Sequence, residues 1–235
     1  MCRHLAYLGP PVTLQALLLD TPSSLLRQAW QPRHQRHGTV NADGFGAGWY
    51  SSRRREPARY RRARPLWSDA SFASIAGVVE TGCLLACVRD ASPGMPVEES
   101  ATAPFTAGPW LFSHNGRIDG WQSLLPDRAI LEAATDSALL WVLLLQRLRA
   151  GVSAVDAVAD TARTGRGHPP GQLNLLLTDG SAIVATACGE SLFARRGPAL
   201  VVASEPYDDE PGWEPVPDAS LVVARDGDVR ITSLD

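Results

Sequence analysis

The sequence predicts an α+β fold in a single domain, and three observations carry that expectation. Apolar runs of strand length come first, two helical stretches follow from residue 135, and a meander of short apolar runs fills the remainder. No internal repeat and no long Gly/Ser linker divides the 235 residues, which is length enough for one large core. Hydrophobic residues make up 45% and charged residues 20%, so the chain is not of the disordered class.

Taken in order, Arg3 to Leu8 reads as a strand stopped by Gly9, Pro10 and Pro11. Leu14, Leu17 and Leu18 fall at helical spacing, and Ser23–Ser24 offers a cap for a second short helix ending near Trp30. Phe45 to Ser51 is apolar and glycine-rich, which suits a strand that another backbone approaches closely. Leu84 to Val88 and Pro109 to Ser113 are strand-like, and the second is expected to feed a turn at Asn115–Gly116. Thr135 is an N-cap for an amphipathic helix running to Arg149 and stopping at Gly151. Val152, Val155 and Val158 continue into a second helix that ends before Gly165. The meander then runs through 174–178, 182–187, 192–194, 200–203, 221–225 and 229–232, with Asp179–Gly180 and Asp226–Gly227 as turns.

The charges exclude several function classes. All 22 cationic side chains are arginine, so neither a Schiff-base lysine nor a phosphate-loop lysine is present. A net charge of −3 argues against a nucleic-acid binder. The longest apolar run, Ala138 to Leu145, is far short of the roughly 20 residues that span a bilayer, and no signal-peptide pattern opens the chain. A cytoplasmic protein with free thiols is therefore expected. Residues 53–64 carry seven arginines and one glutamate, read as a solvated loop or strand edge, with an anion-binding patch as the lesser reading. Cys83 and Cys87 lack the second pair or histidine of a zinc site and read as buried thiols, like Cys188. His34 and His37 lie in an Arg/Gln-rich loop that is either plain surface or a lid. The sequence leaves oligomeric state open.

Met1–Cys2 is where reactive chemistry begins. Initiator methionine is removed readily before a small second residue, so residues 2–235 are expected to form the mature domain. Cys2 would then carry a thiol and a free α-amine, whose ordinary pKa of roughly 7.7–8 suits it to accept the thiol proton. Asn115 and Gly116 offer a side-chain amide beside a backbone N–H, the donor pair of an oxyanion hole. Arg89, at the end of its strand, can grip a carboxylate, and Asp136, opening its helix, can pair with an ammonium. Each also has a plain structural reading: a chain terminus, a turn, an ion-pair partner, a favourable carboxylate at a helix start.

Seven stretches resemble the class II glutamine amidotransferases, N-terminal-nucleophile hydrolases whose mature chain begins with cysteine. They are residues 2–5 (CRHL), 41–48 (NADGFGAG), 88–94 (VRDASPG), 102–105 (TAPF), 113–116 (SHNG), 135–137 (TDS) and 204–206 (SEP), in the family's order. The resemblance implies a four-layer αββα sandwich with Cys2 as nucleophile and its amine as base. It further implies an oxyanion hole of Asn115 and Gly116, Arg89 on the α-carboxylate and Asp136 on the α-ammonium of a glutamyl group, with Ser92 and His114 lining the pocket. His4 is a further lining candidate. Ser92–Pro93 and residues 100–105 depart from the family's usual pattern beside that pocket. No metal or organic cofactor is implied.

Residues 1–9 and 89–98 look more specifically like the γ-glutamyl amidohydrolases of ergothioneine biosynthesis, which release glutamate from γ-glutamyl-hercynylcysteine sulfoxide. The length leaves no room for an ammonia-using domain, so a small-molecule γ-glutamyl hydrolase is expected ahead of a glutaminase subunit or a non-catalytic relative. The trimethylammonium of such a substrate calls for ring faces or carboxylates, with Tyr7, Trp49, Trp110 and Trp121 as aromatic candidates.

Overall fold

The computed structural model describes residues 2–38, 40–127, 129–169 and 171–235. The first half of these residues forms β1 (Arg3–Thr13), α1 (Leu14–Leu18), α2 (Leu25–Gln28), β2 (Gly44–Ser51), β3 (Arg54–Arg62), α3 (Ala70–Ala76), β4 (Glu80–Arg89), β5 (Phe105–Ala107) and β6 (Trp110–Arg117). The second half forms α4 (Asp136–Arg149), α5 (Ala154–Arg166), β7 (Gln172–Thr178), β8 (Ile183–Ala187), β9 (Phe193–Arg195), β10 (Leu200–Ala203), β11 (Trp213–Pro215), β12 (Ser220–Arg225) and β13 (Asp228–Ser233).

The strands pair into two antiparallel sheets, ordered β11-β9-β10-β1-β4-β2-β3 and β13-β12-β8-β7-β6-β5. Three apolar clusters separate four layers. Leu14, Leu17, Leu25 and Phe72 of the short helices pack on Leu5, Phe45 and Leu84 of the seven-stranded sheet. Leu139, Trp141, Leu144, Val158 and Ala162 of α4 and α5 pack on Phe112, Leu173 and Leu175 of the six-stranded sheet. Between the sheets lie Ala6, Leu85, Leu111, Leu176, Ala185 and Val202. Alternation along the strands produces this: in β1, Leu5 and Tyr7 face the helices while Ala6 faces the other sheet.

Several sequence expectations change. β1 runs on through Pro10 and Pro11, because its register against β4 shifts between Leu8 and Val12 and the prolines fall in that irregularity, where no ladder donor is required. Asn115–Gly116 is not a turn. β6 passes straight through it, with Asn115 opposite Asn174 and Gly116 opposite Leu173, so long-range pairing overrides the local Asn-Gly preference. α5 extends past Gly165, whose missing side chain lets the helix sit on Leu173: a Cβ there would lie 2.8 Å from the leucine methyls. The meander, whose sheet membership the sequence left open, is shared between the two sheets. α4 begins as expected, with Thr135 Oγ1 accepting from the Ala138 N–H at 3.1 Å.

The arginine-rich segment is β3, an edge strand. Arg59 and Arg61 donate to the carbonyls of Pro104 and Thr102, both pair with Glu132, and Arg62 pairs with Glu99 over the Tyr60 ring. These arginines strap residues 99–104 across the sheet, and charged side chains along an edge also discourage pairing with another chain.

Candidate active site

Cys2 lies at the head of β1, an interior strand of the seven-stranded sheet, and Asn115 lies in β6 of the other sheet. The two are joined: the Cys2 backbone nitrogen donates to Asn115 Oδ1 at 3.0 Å. That bond fixes which way the amide points. Its Nδ2 is buried and has no acceptor among the described residues, a donor held ready for an oxygen that is not part of the protein. Gly116 follows, and only glycine fits there, since a Cβ would come within 1.9 Å of the Gln172 carbonyl oxygen.

A narrow pocket enclosing about 260 Å³ of empty space opens at Cys2, with Cys87, Arg89, Phe105, Ser113, His114 and Ser137 around it. Arg89 is buried, and its Nη1 donates to the Pro96 carbonyl at 2.9 Å, one of the five donors a guanidinium carries. Ala101 and Ala103 complete the wall. Cys87 Sγ donates to the Ala103 carbonyl at 3.1 Å, and Gly46 allows that carbonyl to approach, since a Cβ would meet it at 2.1 Å.

The expected site residues divide into three groups. Cys2, Arg89 and His114 share the pocket, with Asn115 bonded to Cys2. His114 is tied within the protein, Nε2 to the Gln172 carbonyl at 2.9 Å and Nδ1 to Ser137 Oγ at 3.0 Å, so its ring forms a fixed wall. Asp136 stands behind Ser137. Its Oδ2 accepts from the Ile118 N–H at 3.0 Å, and its Oδ1 accepts from the Ser137 N–H at 2.7 Å and from the Ser137 hydroxyl at 3.4 Å, which leaves a lone pair on Oδ2. Ser92 lies outside the pocket, in an adjoining open cleft of about 960 Å³ with His37, Asp90, Pro93, Arg117 and Gln172. His4 is fully buried beneath, with Nδ1 against Ser113 Oγ at 3.1 Å.

The aromatic candidates are elsewhere. Tyr7 and Trp49 pack with the short helices, and Trp110 and Trp121 with α4 and α5. Tyr7 and Trp121 are buried in those cores, Trp49 and Trp110 are half-buried against them, and none of the four lines the cleft.

Burial separates Cys2 from the other three thiols. Burial pushes the Cys83 thiol up to about 12 and raises Cys87 and Cys188 as well, so those three stay protonated and unreactive at neutral pH. Cys2 is only partly buried.

Sequence reasoning missed the groups that hold Cys2 from below. Arg3 is completely buried, and its Nε donates to the Cys2 carbonyl at 2.7 Å while its guanidinium meets Ser191 Oγ and Glu190. Burial lowers the Arg3 pKa, opposed by the charges of Glu205 and Glu190. Glu205 Oε2 in turn accepts from the N–H groups of Arg33 and His34, at 2.6 and 2.8 Å, and pins the loop expected to be surface or lid. The alternation of Cys2 and Arg3 at a strand start was the available signal, but a lone arginine there carries no pattern.

The description "glutamine amidotransferases class-II" matches residues 14–199. The chain belongs to that family. Within the class II glutamine amidotransferases, it is 46% identical over 235 residues to the γ-glutamyl-hercynylcysteine sulfoxide hydrolase of Mycolicibacterium smegmatis, with all of both chains covered. The protein of that name from Mycobacterium tuberculosis is 44% identical, covering 100% of this chain and 97% of its own. Among solved structures, a glutamine aminotransferase class-II domain protein from Silicibacter pomeroyi superposes with a TM-score of 0.69 at 23% identity, over 99% of this chain and 98% of that one. The glutamine phosphoribosylpyrophosphate amidotransferase of B. subtilis superposes with a TM-score of 0.71 at 14% identity, over all of this chain and 49% of that one. These likenesses place the two-sheet sandwich in the amidotransferase fold.

Proposed function

We propose that the chain hydrolyses a γ-glutamyl amide with Cys2 as nucleophile, and that its substrate is γ-glutamyl-hercynylcysteine sulfoxide, the compound named in its mycobacterial relatives. The observation that carries the chemistry is the Cys2–Asn115 bond, which leaves a buried amide donor facing the place where an oxyanion would form.

In this reading residues 2–235 form one catalytic domain. Removal of Met1 turns the Cys2 nitrogen into an α-amine that is already oriented by Asn115 Oδ1. The amine takes the thiol proton as sulfur attacks the γ-carbonyl. Asn115 Nδ2 and the Gly116 N–H receive the negative charge of the tetrahedral intermediate. The amine then returns the proton to the departing nitrogen, leaving a γ-glutamyl thioester that water hydrolyses to glutamate. Arg89 grips the α-carboxylate from the pocket wall, Asp136 answers the α-ammonium from behind Ser137, and His114 shapes the wall. Ser92, in the cleft, meets the far side of the scissile amide.

The test is glutamate release from γ-glutamyl-hercynylcysteine sulfoxide and from glutamine. The reading expects clear preference for the former, no activity in Cys2→Ala, and a roughly 100- to 1,000-fold lower kcat in Asn115→Ala. Equal turnover of both substrates overturns the substrate, and full activity in Cys2→Ala overturns the mechanism.

A further inference from the structure

The geometry points to a leaving-group subsite in the cleft beyond the nucleophile, in which Arg117 binds the carboxylate beside the scissile nitrogen and Asp90 the cationic end of the leaving amine. This rests on the γ-glutamyl amide reading of the pocket and adds to it the residues that select the amine.

β4 ends at Arg89 in the pocket and the chain passes directly to Asp90 in the cleft. β6 carries Asn115 and, two residues on, Arg117, which stands opposite Gln172 in the register with β7. Residues two apart on a strand face the same way, roughly 6.5–7 Å apart. A guanidinium two places beyond the oxyanion donor therefore lies on the way from the pocket into the cleft that it lines. The Asp43 side chain fixes the connecting backbone, its Oδ2 accepting from the Ala91 N–H at 2.8 Å.

The pocket holding Cys2 and Arg89 offers about 260 Å³ of empty space, and the cleft, which opens to solvent, about 960 Å³. Cutting glutamine releases only ammonia, which needs no such space. The cleft suits a leaving group as large as a substituted amino acid.

A γ-glutamyl-cysteine derivative places a carboxylate one carbon from the scissile nitrogen, and the hercynyl portion adds a quaternary ammonium further out. Arg117 has its side chain 46% exposed, and its Nε donates to Asp119 Oδ1 at 2.6 Å, an anchor that aims the guanidinium from one side. An arginine fork matches a carboxylate. Asp90, Ser92 and His37 line the cleft with it. A quaternary ammonium donates no hydrogen bond and is met by ring faces or by negative charge. No tyrosine or tryptophan is among the residues lining the cleft, and the Asp90 carboxylate fills that role.

The test compares kcat/KM for three amides: γ-glutamyl-cysteamine, which lacks the carboxylate, γ-glutamyl-cysteine, which has it, and γ-glutamyl-hercynylcysteine sulfoxide, which adds the ammonium. In Arg117→Gln the ratio of γ-glutamyl-cysteine to γ-glutamyl-cysteamine is expected to fall roughly tenfold to hundredfold, mostly through KM, the size of a lost charge-assisted hydrogen bond. In Asp90→Asn the ratio of the full substrate to γ-glutamyl-cysteine falls. Turnover of γ-glutamyl-cysteamine reports that each variant is folded; should Arg117→Gln not fold, Arg117→Lys must lower the same ratio by a smaller factor. Ratios equal to those of the native protein overturn the subsite and leave the γ-glutamyl reading standing. A native protein that cleaves none of the three overturns both.

Discussion

His4 shows how strongly position governs a side chain next to a reactive centre. Its imidazole is fully buried, and burial, reinforced by Arg3 and His114, pushes its pKa down from 6.5 to about 3. Below pH 6.5 the unfolded chain takes up a proton at this residue while the folded one does not until about pH 3, so His4 makes the fold lose stability as pH falls through that window. The slope is at most about 1.4 kcal/mol per pH unit. In His4→Asn that contribution is gone, so urea midpoints of native and variant protein, measured from pH 7 to pH 4.5, should converge or cross on acidification; parallel curves would contradict the assignment. At this scale the sequence was partly legible. Cys2, Arg89, Asn115 and Asp136 stood out because each residue type matched a chemical task. Arg3, Cys87 and Ser137 did not, since their importance comes from partners 16 to 188 positions away.

At the scale of elements, local signals worked where local chemistry decides. Thr135 Oγ1 caps α4 as its sequence position suggested, and Asp136 is the first helical residue. Thr135→Ala should cost about 1 kcal/mol, read as a lower urea midpoint with unchanged slope. Because Asp136 Oδ2 also holds the Ile118 N–H, an uncapped helix loosens the end of β6, and KM should rise as well. The failures came where distant pairing decides. Pro10–Pro11 did not end β1, and Asn115–Gly116 did not turn, because β4 and β7 supply ladders that no window of ten residues contains. The arginines of β3 were legible as an edge, but not as the strap that holds residues 99–104 over the pocket.

At the scale of the whole molecule, the site exists only because two sheets meet. The Cys2 nitrogen belongs to one sheet and Asn115 to the other, so a 3.0 Å bond between them depends on the entire sandwich. Strand and helix order was enough to predict α+β layering. It was not enough to show that the C-terminal meander splits between the sheets, since β9, β10 and β11 join β1 while β7, β8, β12 and β13 lie across the core. The central claim is that a terminal cysteine, with its own amine as base, takes the γ-glutamyl group. The most direct measurement is mass spectrometry of the native protein, intact and after quenching during turnover of γ-glutamyl-hercynylcysteine sulfoxide. The account predicts a chain that begins at Cys2 and a γ-glutamyl group attached to the N-terminal peptide, absent in Cys2→Ala. A fully active protein that retains Met1, or an adduct on any other residue, would contradict it.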